Sequence, residues 1–135
     1  MTSIQHINPD GLNKNPAFTN VITVTGPAKT IYIGGQDSVN ANGEVVGVGD
    51  IGAQSEQVYR NLKIALAAAG ATIYDVVKWN IYVVQGQPLH PGFEAFQREW
   101  GQHPNPPTIT FAYVAGLAHP DFLIEMDAIA VVSAE

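Results

Sequence analysis

The chain has 135 residues, of which 46% are hydrophobic and 13% charged, and its formal net charge at pH 7 is −6. Its six basic residues occur singly, which disfavours nucleic-acid binding, and the absence of cysteine excludes disulfides and Cys-based nucleophiles or metal sites. The sequence has no signal-peptide pattern and no apolar run of membrane length. We therefore expect a soluble, cytoplasmic protein that folds as one domain, residues 1–135, and does not bind membranes.

Three short strands rich in β-branched residues are predicted first: Ile4–Ile7, Val21–Thr25 and Thr30–Gly34. The turn sequence Asn8-Pro9-Asp10-Gly11 follows the first of them, and Gly26-Pro27 joins the other two. Further on, Asn42-Gly43 predicts a two-residue hairpin turn, since both residue types tolerate positive φ.

The clearest helix is predicted between Asp50, which can cap its N-terminus, and Gly70, which can end it in the left-handed conformation. Within it, apolar residues recur at helical spacing at positions 58, 62, 66 and 69. The segment Val76–Val84 then has the apolar character of a central strand.

The second predicted helix is His90–Trp100, with aromatic residues on one face and the Pro-rich sequence HPNPP at 103–107 beyond it. Ile109–Val114 and Leu123–Val132 are the closing strands. This βββ-α-β-α-ββ order predicts an α+β fold with both helices on one face of a single mixed sheet. The opposite face is expected to be apolar and bare, and to be covered by another subunit. The apolar composition of so short a chain also favours an oligomer.

The sequence Gly47-Val48-Gly49-Asp50-Ile51-Gly52 matches a dinucleotide fingerprint, but we interpret its glycines as a loop followed by a helix cap. The carboxylate of Asp50 would occupy the helix N-terminus where a pyrophosphate binds. The preceding strand also belongs to a hairpin and not to a parallel βαβ unit. We expect no cofactor.

Glu125 and Asp127 lie two positions apart on the last strand, so their side chains share one face. Either carboxylate can face solvent or a channel between subunits, or the two can form an acid/base or metal-binding pair. Glu125 is flanked by apolar residues, which would raise its pKa and suit it to donate or relay a proton. On the central strand, Trp79 is expected to pack in the core first and to form a pocket wall second.

The four histidines show no metal-ligand spacing, and we expect no metal site. His103 and His119 are expected in loops, while His90 at the start of the second helix remains a candidate polar group of a site. No GxSxG nucleophile elbow is present, which argues against an α/β-hydrolase.

Five segments together resemble the RidA/YjgF family of reactive-intermediate imine deaminases. They are GGQDSVNANGEVVG, NLKIALAAAGATIYDVVKWNIYV, FEAFQREW and the pair PTITFAYVAGL and IEMDAIAV, and the similarity extends from about Phe18 to Val132. The resemblance implies a chorismate-mutase-like α+β fold and a homotrimer with three ligand clefts between adjacent subunits.

The resemblance also implies a set of site residues. In active members an Arg in the motif P-x-R-[ST] holds the substrate carboxylate, and a Glu on the last strand is associated with the hydrolytic water. Glu125 matches that Glu, whereas Ile109 stands at the position of the Arg. Phe18 replaces a Tyr, His90 replaces an Asn, and Gly34 replaces a more usual Ser beside the retained Gly35.

Without the Arg, an imino acid would have to bury its carboxylate against Ile109, which costs several kcal/mol. We therefore expect Phe18, Ile109 and Phe111 to form a pocket for a neutral, or a larger aromatic or apolar, ligand.

The leading hypothesis is a trimer that binds, and hydrolyses or otherwise transforms, such a small molecule with Glu125 as the proton-handling group. A non-catalytic ligand-binding or regulatory protein is the first alternative. The second is an ordinary imine deaminase whose cation comes from Arg60, Lys78 or Arg98 across an interface. The endoribonuclease activity also ascribed to the family is disfavoured by the acidic charge.

Overall fold

Six strands and two α-helices follow one another along the chain in the computed structural model, which describes residues Met1–Glu135. The strands are β1 (Ser3–Ile7), β2 (Val21–Thr25), β3 (Ala28–Gln36), β4 (Val76–Val84), β5 (Thr108–Val114) and β6 (Ile124–Ser133). The helices are α1 (Ile51–Ala68) and α2 (His90–Trp100), and a 3-10 turn at Ile73–Asp75 precedes β4. The predicted order is confirmed, and the bounds of β2, β4 and α2 are those expected from the sequence.

The central sheet has four strands in the order β3-β6-β4-β5, with β4 and β5 parallel and the other neighbours antiparallel. The α+β class and the mixed sheet are therefore confirmed. The strands do not all belong to one sheet, however, because β1 and β2 form a separate antiparallel ladder. The chain leaves that ladder at Gly26, which has φ +87° and no room for a side chain, since a Cβ there would lie 2.2 Å from the carbonyl oxygen of Met1.

The hairpin after β3 is present, but its turn differs from the predicted two-residue type. Val39 and Val45 form the bridge, and Gly43 is the only residue of the turn with positive φ (79°). The side chain of Asn40 explains the difference, because its Oδ1 accepts hydrogen bonds from the backbone N–H groups of Asn42 (3.0 Å) and Glu44 (3.1 Å). This local bonding favours a longer turn that leaves Asn42 in an ordinary conformation.

Helix α1 begins and ends as predicted. Asp50 accepts a hydrogen bond from the backbone N–H of Ala53 (3.1 Å), and Gly70 follows the helix with φ +81°. Val58, Leu62 and Leu66 are fully buried against the sheet, as their helical spacing predicts. No helix of the chain is both long and apolar enough to cross a membrane.

The two faces of the sheet differ in cover. Trp79 of β4 is buried beneath the helices, as expected from its alternation, together with Met126 and Ala128 of β6. The opposite face has no helix over it, and Tyr32 on this face is 77% exposed. The expectation that this face is apolar was only partly right. The β4 and β6 side chains on it include five polar groups, Lys78, Asn80, Tyr82, Glu125 and Asp127.

Candidate functional site

An apolar cavity of about 280 Å³ lies between the helix-covered face of the sheet and α2. Phe18, Ile109 and Phe111, which were expected to lie together, all line it. The register explains this grouping, because Ile109 pairs with Trp79 and Phe111 with Ile81, both of which face the helices. The remaining walls include residues that the sequence analysis did not assign to a site: Ile51, Tyr59, Ile81, Val83, Leu89, Phe93, Phe96 and Ile124.

Phe18 reaches the cavity because its segment is tied to the residues that precede β5. The backbone N–H of Thr19 donates to the carbonyl oxygen of Pro107 (3.0 Å), and the Thr19 hydroxyl donates to that of Pro106. Thr19 itself is buried. Pro106 and Pro107 therefore both introduce β5 and hold the Phe18 segment beside Ile109.

No charged side chain lines the cavity. Its polar groups are those of Asn15 and the phenol of Tyr59, whose ring packs against Trp79 and Phe96. Burial, together with the charge of Glu99, raises the pKa of Tyr59, so its phenol stays neutral at physiological pH. A ligand in this cavity meets aromatic and aliphatic walls and no counter-ion for a carboxylate.

A second, more polar cavity of about 320 Å³ adjoins the first and shares four lining residues with it: Asn15, Ala17, Phe93 and Phe96. Gln97, Gln102 and His103 contribute to its wall. The sequence analysis expected His103 in a loop. It does lie in the loop between α2 and β5, where its ring stacks on Tyr74 at a centroid distance of 4.0 Å.

Glu125 lies on the opposite face of the sheet from the apolar cavity. It pairs with Tyr82 of β4, and Asp127 pairs with Asn80, whose Nδ2 donates to Asp127 Oδ1 at 2.7 Å. The two carboxylates thus share a face as predicted. Asp127 has a hydrogen-bonding partner in Asn80, whereas the surroundings of Glu125 are set by β3.

Gly35 makes room for the Glu125 side chain. The β3–β6 register shifts between Ile33 and Gln36, and a Cβ added at Gly35 would lie 2.9 Å from Glu125 Oε2 and 3.0 Å from its Cδ. A larger residue here would displace the carboxylate. Gly34, by contrast, has open space around its Cα, so the structure gives it no packing role beside Glu125.

Asp37, which the sequence analysis did not single out, directly follows Gln36, and Gln36 pairs with Met126, so the antiparallel register places Asp37 beside Glu125. Burial first, and then the charge and hydrogen bonding of Glu125, raise the pKa of Asp37 to about 7. Its Oδ1 is one of only two buried side-chain polar atoms in the chain without a hydrogen-bond partner, the other being Trp79 Nε1. An Asp two residues after Gly35, just beyond the end of β3, was the available sequence signal.

His90 is not part of the cavity wall. Its side chain is 80% exposed and its Nε2 lies 2.5 Å from Glu94 Oε1, one turn along α2. The chain contains no group of three or more His, Asp or Glu side chains arranged to hold a metal ion. The candidate site therefore consists of an apolar cavity on one face of the sheet and a carboxyl pair on the other.

A mixed sheet with two helices on one face places the chain among small α+β proteins. Residues 13–132 match the family model described as endoribonuclease L-PSP. The chain belongs to this family, the RidA/YjgF family, as its motifs had indicated.

Individual relatives agree with this assignment. The Rid-family protein YyfB of Yersinia pestis, whose function is unknown, is 36% identical with a TM-score of 0.82, covering 96% of this chain and 98% of that one. The 3-aminoacrylate deaminase RutC of Acinetobacter baylyi is 27% identical over 115 residues, 85% of this chain and 89% of that protein. A 2-iminobutanoate/2-iminopropanoate deaminase of Dermatophagoides farinae is 31% identical over 77 residues, 57% of this chain and 59% of that protein.

Proposed function

We propose that the chain forms a homotrimer that binds a small neutral or apolar metabolite in clefts between subunits and hydrolyses its imine or enamine group to a carbonyl compound and ammonia. The reaction class is supported by the relatives named as an enamine and an imine deaminase. The ligand class is supported by the chain's own cavity. Standard small 2-imino acids are poor substrates in this proposal.

The observation that carries the proposal is the wall of the cavity at Ile109. Active family members are expected to have an Arg at this position, which would form two charge-assisted bonds worth about 1.5–3 kcal/mol each with a substrate carboxylate. Here the position is aliphatic, Phe18 and Phe111 line the same cavity, and no Lys or Arg joins them. A carboxylate would be desolvated without a partner, whereas an aromatic or aliphatic group would be stabilised by burial.

The orientation of two site residues supports a location between subunits. Ile109 points to the helix-covered face and Glu125 to the bare face, so one subunit alone cannot place both beside the same small molecule. A neighbouring subunit packed on the bare face would bring its own cavity wall towards Glu125. This geometry supports a cleft that needs two copies of the chain, and it agrees with the family's usual trimer.

One observation favours a second candidate, an ordinary imino acid deaminase with a relocated cation. Lys78 lies on the bare face together with Glu125, and its Nζ donates to the Thr110 hydroxyl at 2.6 Å without contacting a carboxylate. Arg98, in contrast, is engaged by Glu56 at 2.6 Å, and Arg60 is exposed on α1. Lys78 is thus the best placed of the three cations to serve a neighbouring subunit's cleft.

The proposal is tested by the release of ammonia from two imines generated in the assay. An amine oxidase acting on benzylamine supplies a neutral aromatic imine, and an amino acid oxidase acting on alanine supplies 2-iminopropanoate. We expect the protein to accelerate hydrolysis of the first by at least about 100-fold more than that of the second, since about 3 kcal/mol of anion binding is missing.

Three other results would each contradict a different part of the proposal. Turnover of 2-iminopropanoate that is lost in Lys78→Gln would establish the relocated cation. Thermal stabilisation by benzaldehyde without acceleration of either reaction would establish a non-catalytic binding protein. A monomer in sedimentation, active or not, would remove the clefts between subunits.

A further inference from the structure

The segment that carries Asp37 is held in place independently of its carboxyl group. The Asp37 carbonyl oxygen accepts hydrogen bonds from Asn61 Nδ2 of α1 (3.0 Å) and from the backbone N–H of Val39 (2.8 Å). The next residue, Ser38, is fully buried and donates to the Val46 carbonyl oxygen at 2.6 Å. The Asp37 side chain is therefore presented to Glu125 by an anchored backbone.

Two carboxyl groups that hydrogen-bond to each other need a proton between them. Ionised carboxylates only accept hydrogen bonds, so Asp37 and Glu125 can bond to each other only when one of them is protonated. The unpartnered Asp37 Oδ1 is buried, and no Lys or Arg contacts the pair. The other titratable groups on this face are Tyr32, Tyr82, Asp127, which is bonded by Asn80, and Lys78, which is bonded to Thr110.

We infer that Asp37 and Glu125 hold one proton between them and that Asp37, acting through Glu125, is a positioning residue that lets this carboxylate serve as both acid and base. The inference rests on the proposed hydrolysis and extends it to a residue to which the family resemblance assigned no role. The raised pKa of Asp37, about 7, agrees with it. Close like charges do not both ionise, and the titration then belongs to the pair.

With one shared proton, the carboxyl pair can supply and recover every proton that the proposed hydrolysis moves. As water attacks the imine carbon, a C–O bond forms, one proton of water passes to the pair, and the π electrons of the C=N bond move to nitrogen, which takes a proton from the pair. In the resulting carbinolamine the pair gives nitrogen a second proton, and the C–N bond breaks with its electrons leaving on ammonia. The hydroxyl proton returns to the pair as the C=O bond forms, so the pair again holds one proton.

Whether Asp37 and Glu125 share a proton can be tested without turnover, by carbon-13 NMR of carboxyl-labelled Asp in the intact protein. We expect the Asp37 resonance, assigned by its absence in Asp37→Asn, to titrate with a midpoint near pH 7. In Glu125→Gln the midpoint should fall, because the neighbouring charge is gone. A midpoint below about pH 5 that is the same in both proteins would overturn the shared proton, since an unperturbed Asp titrates near 3.9.

The pH dependence of kcat on the neutral aromatic imine tests whether the shared proton takes part in the hydrolysis. Activity should decline as pH rises through about 7, where the pair loses its proton. In Asp37→Asn this limb should disappear and kcat should fall about 100-fold with KM unchanged. A variant with native kcat and the native limb would overturn the role of Asp37. If the native protein shows no turnover, the proposed function fails by itself, and the NMR titration still decides whether the proton is shared.

Discussion

Replacing Ile109 with Arg is expected to raise kcat/KM for 2-iminopropanoate by at least about 100-fold, with little gain for the neutral aromatic imine. Ile109 lies at the wall of an uncharged cavity, so a guanidinium there would be the first cation available to a bound carboxylate. Two charge-assisted bonds at about 1.5–3 kcal/mol each, less about 1.5–2 kcal/mol for ordering the long side chain, leave a net gain whose range includes the roughly 3 kcal/mol that this increase requires. The measurement is ammonia release over a range of substrate concentrations.

Ile109→Gln is the matched control, because it adds length and hydrogen-bonding capacity without charge. We expect it to gain less than about tenfold, since neutral hydrogen bonds contribute about 1 kcal/mol net. Thermal melting of both variants checks that a polar side chain at this half-buried position has not unfolded the protein. A folded Arg variant that is no faster than the Gln variant would show that Ile109 does not occupy the anion site.

Replacing Glu125 with Gln is expected to lower kcat for the neutral imine by at least about 100-fold while leaving KM within a few-fold. Gln occupies nearly the same volume in the space left by Gly35, but it cannot accept a proton from water. The melting temperature should not fall, because the substitution also removes the charge that opposes ionisation of Asp37. Loss of activity in a protein of native stability would therefore be chemical and not structural.

Asp127→Asn provides the comparison for Glu125. Its carboxylate lies on the same face two residues further along β6, but it is bonded to Asn80 at 2.7 Å. We expect kcat to change less than about threefold in this variant, within the range of a single neutral hydrogen bond. If Asp127→Asn is as damaging as Glu125→Gln, or if neither reduces turnover, Glu125 is not the proton-handling group.

The elements of the fold were predictable because local patterns and long-range packing agree on them. The apolar spacing of α1, its cap at Asp50 and its end at Gly70 all specify the same helix. Apart from Lys78, Asn80 and Tyr82, strand β4 is apolar, which is typical of a strand near the middle of a sheet. What the sequence could not give was the separation of β1 and β2 from the main sheet, which depends on the close approach of Gly26 to Met1.

The candidate site was only partly predictable for a related reason. Ile109, Phe18 and Phe111 were grouped by resemblance, and the register places them in one cavity. His90 was expected beside them, but its exposed ring pairs with Glu94 within the same helix. Asp37 was missed because its importance arises from a shift in strand register at Gly34 and Gly35, which only the paired strands reveal.

The central claim is that the cleft binds a neutral, apolar ligand and has lost the ability to bind a carboxylate. Binding of phenylacetamide and phenylacetate at pH 7.5 tests this claim most directly. The two probes have nearly the same shape and differ mainly in charge, and calorimetry on the native protein needs no turnover. The account predicts that the amide binds at least about tenfold more tightly than the carboxylate, and that Ile109→Arg reverses this order. Tighter binding of phenylacetate by the native protein would contradict it, because a cation would then be present in the cleft.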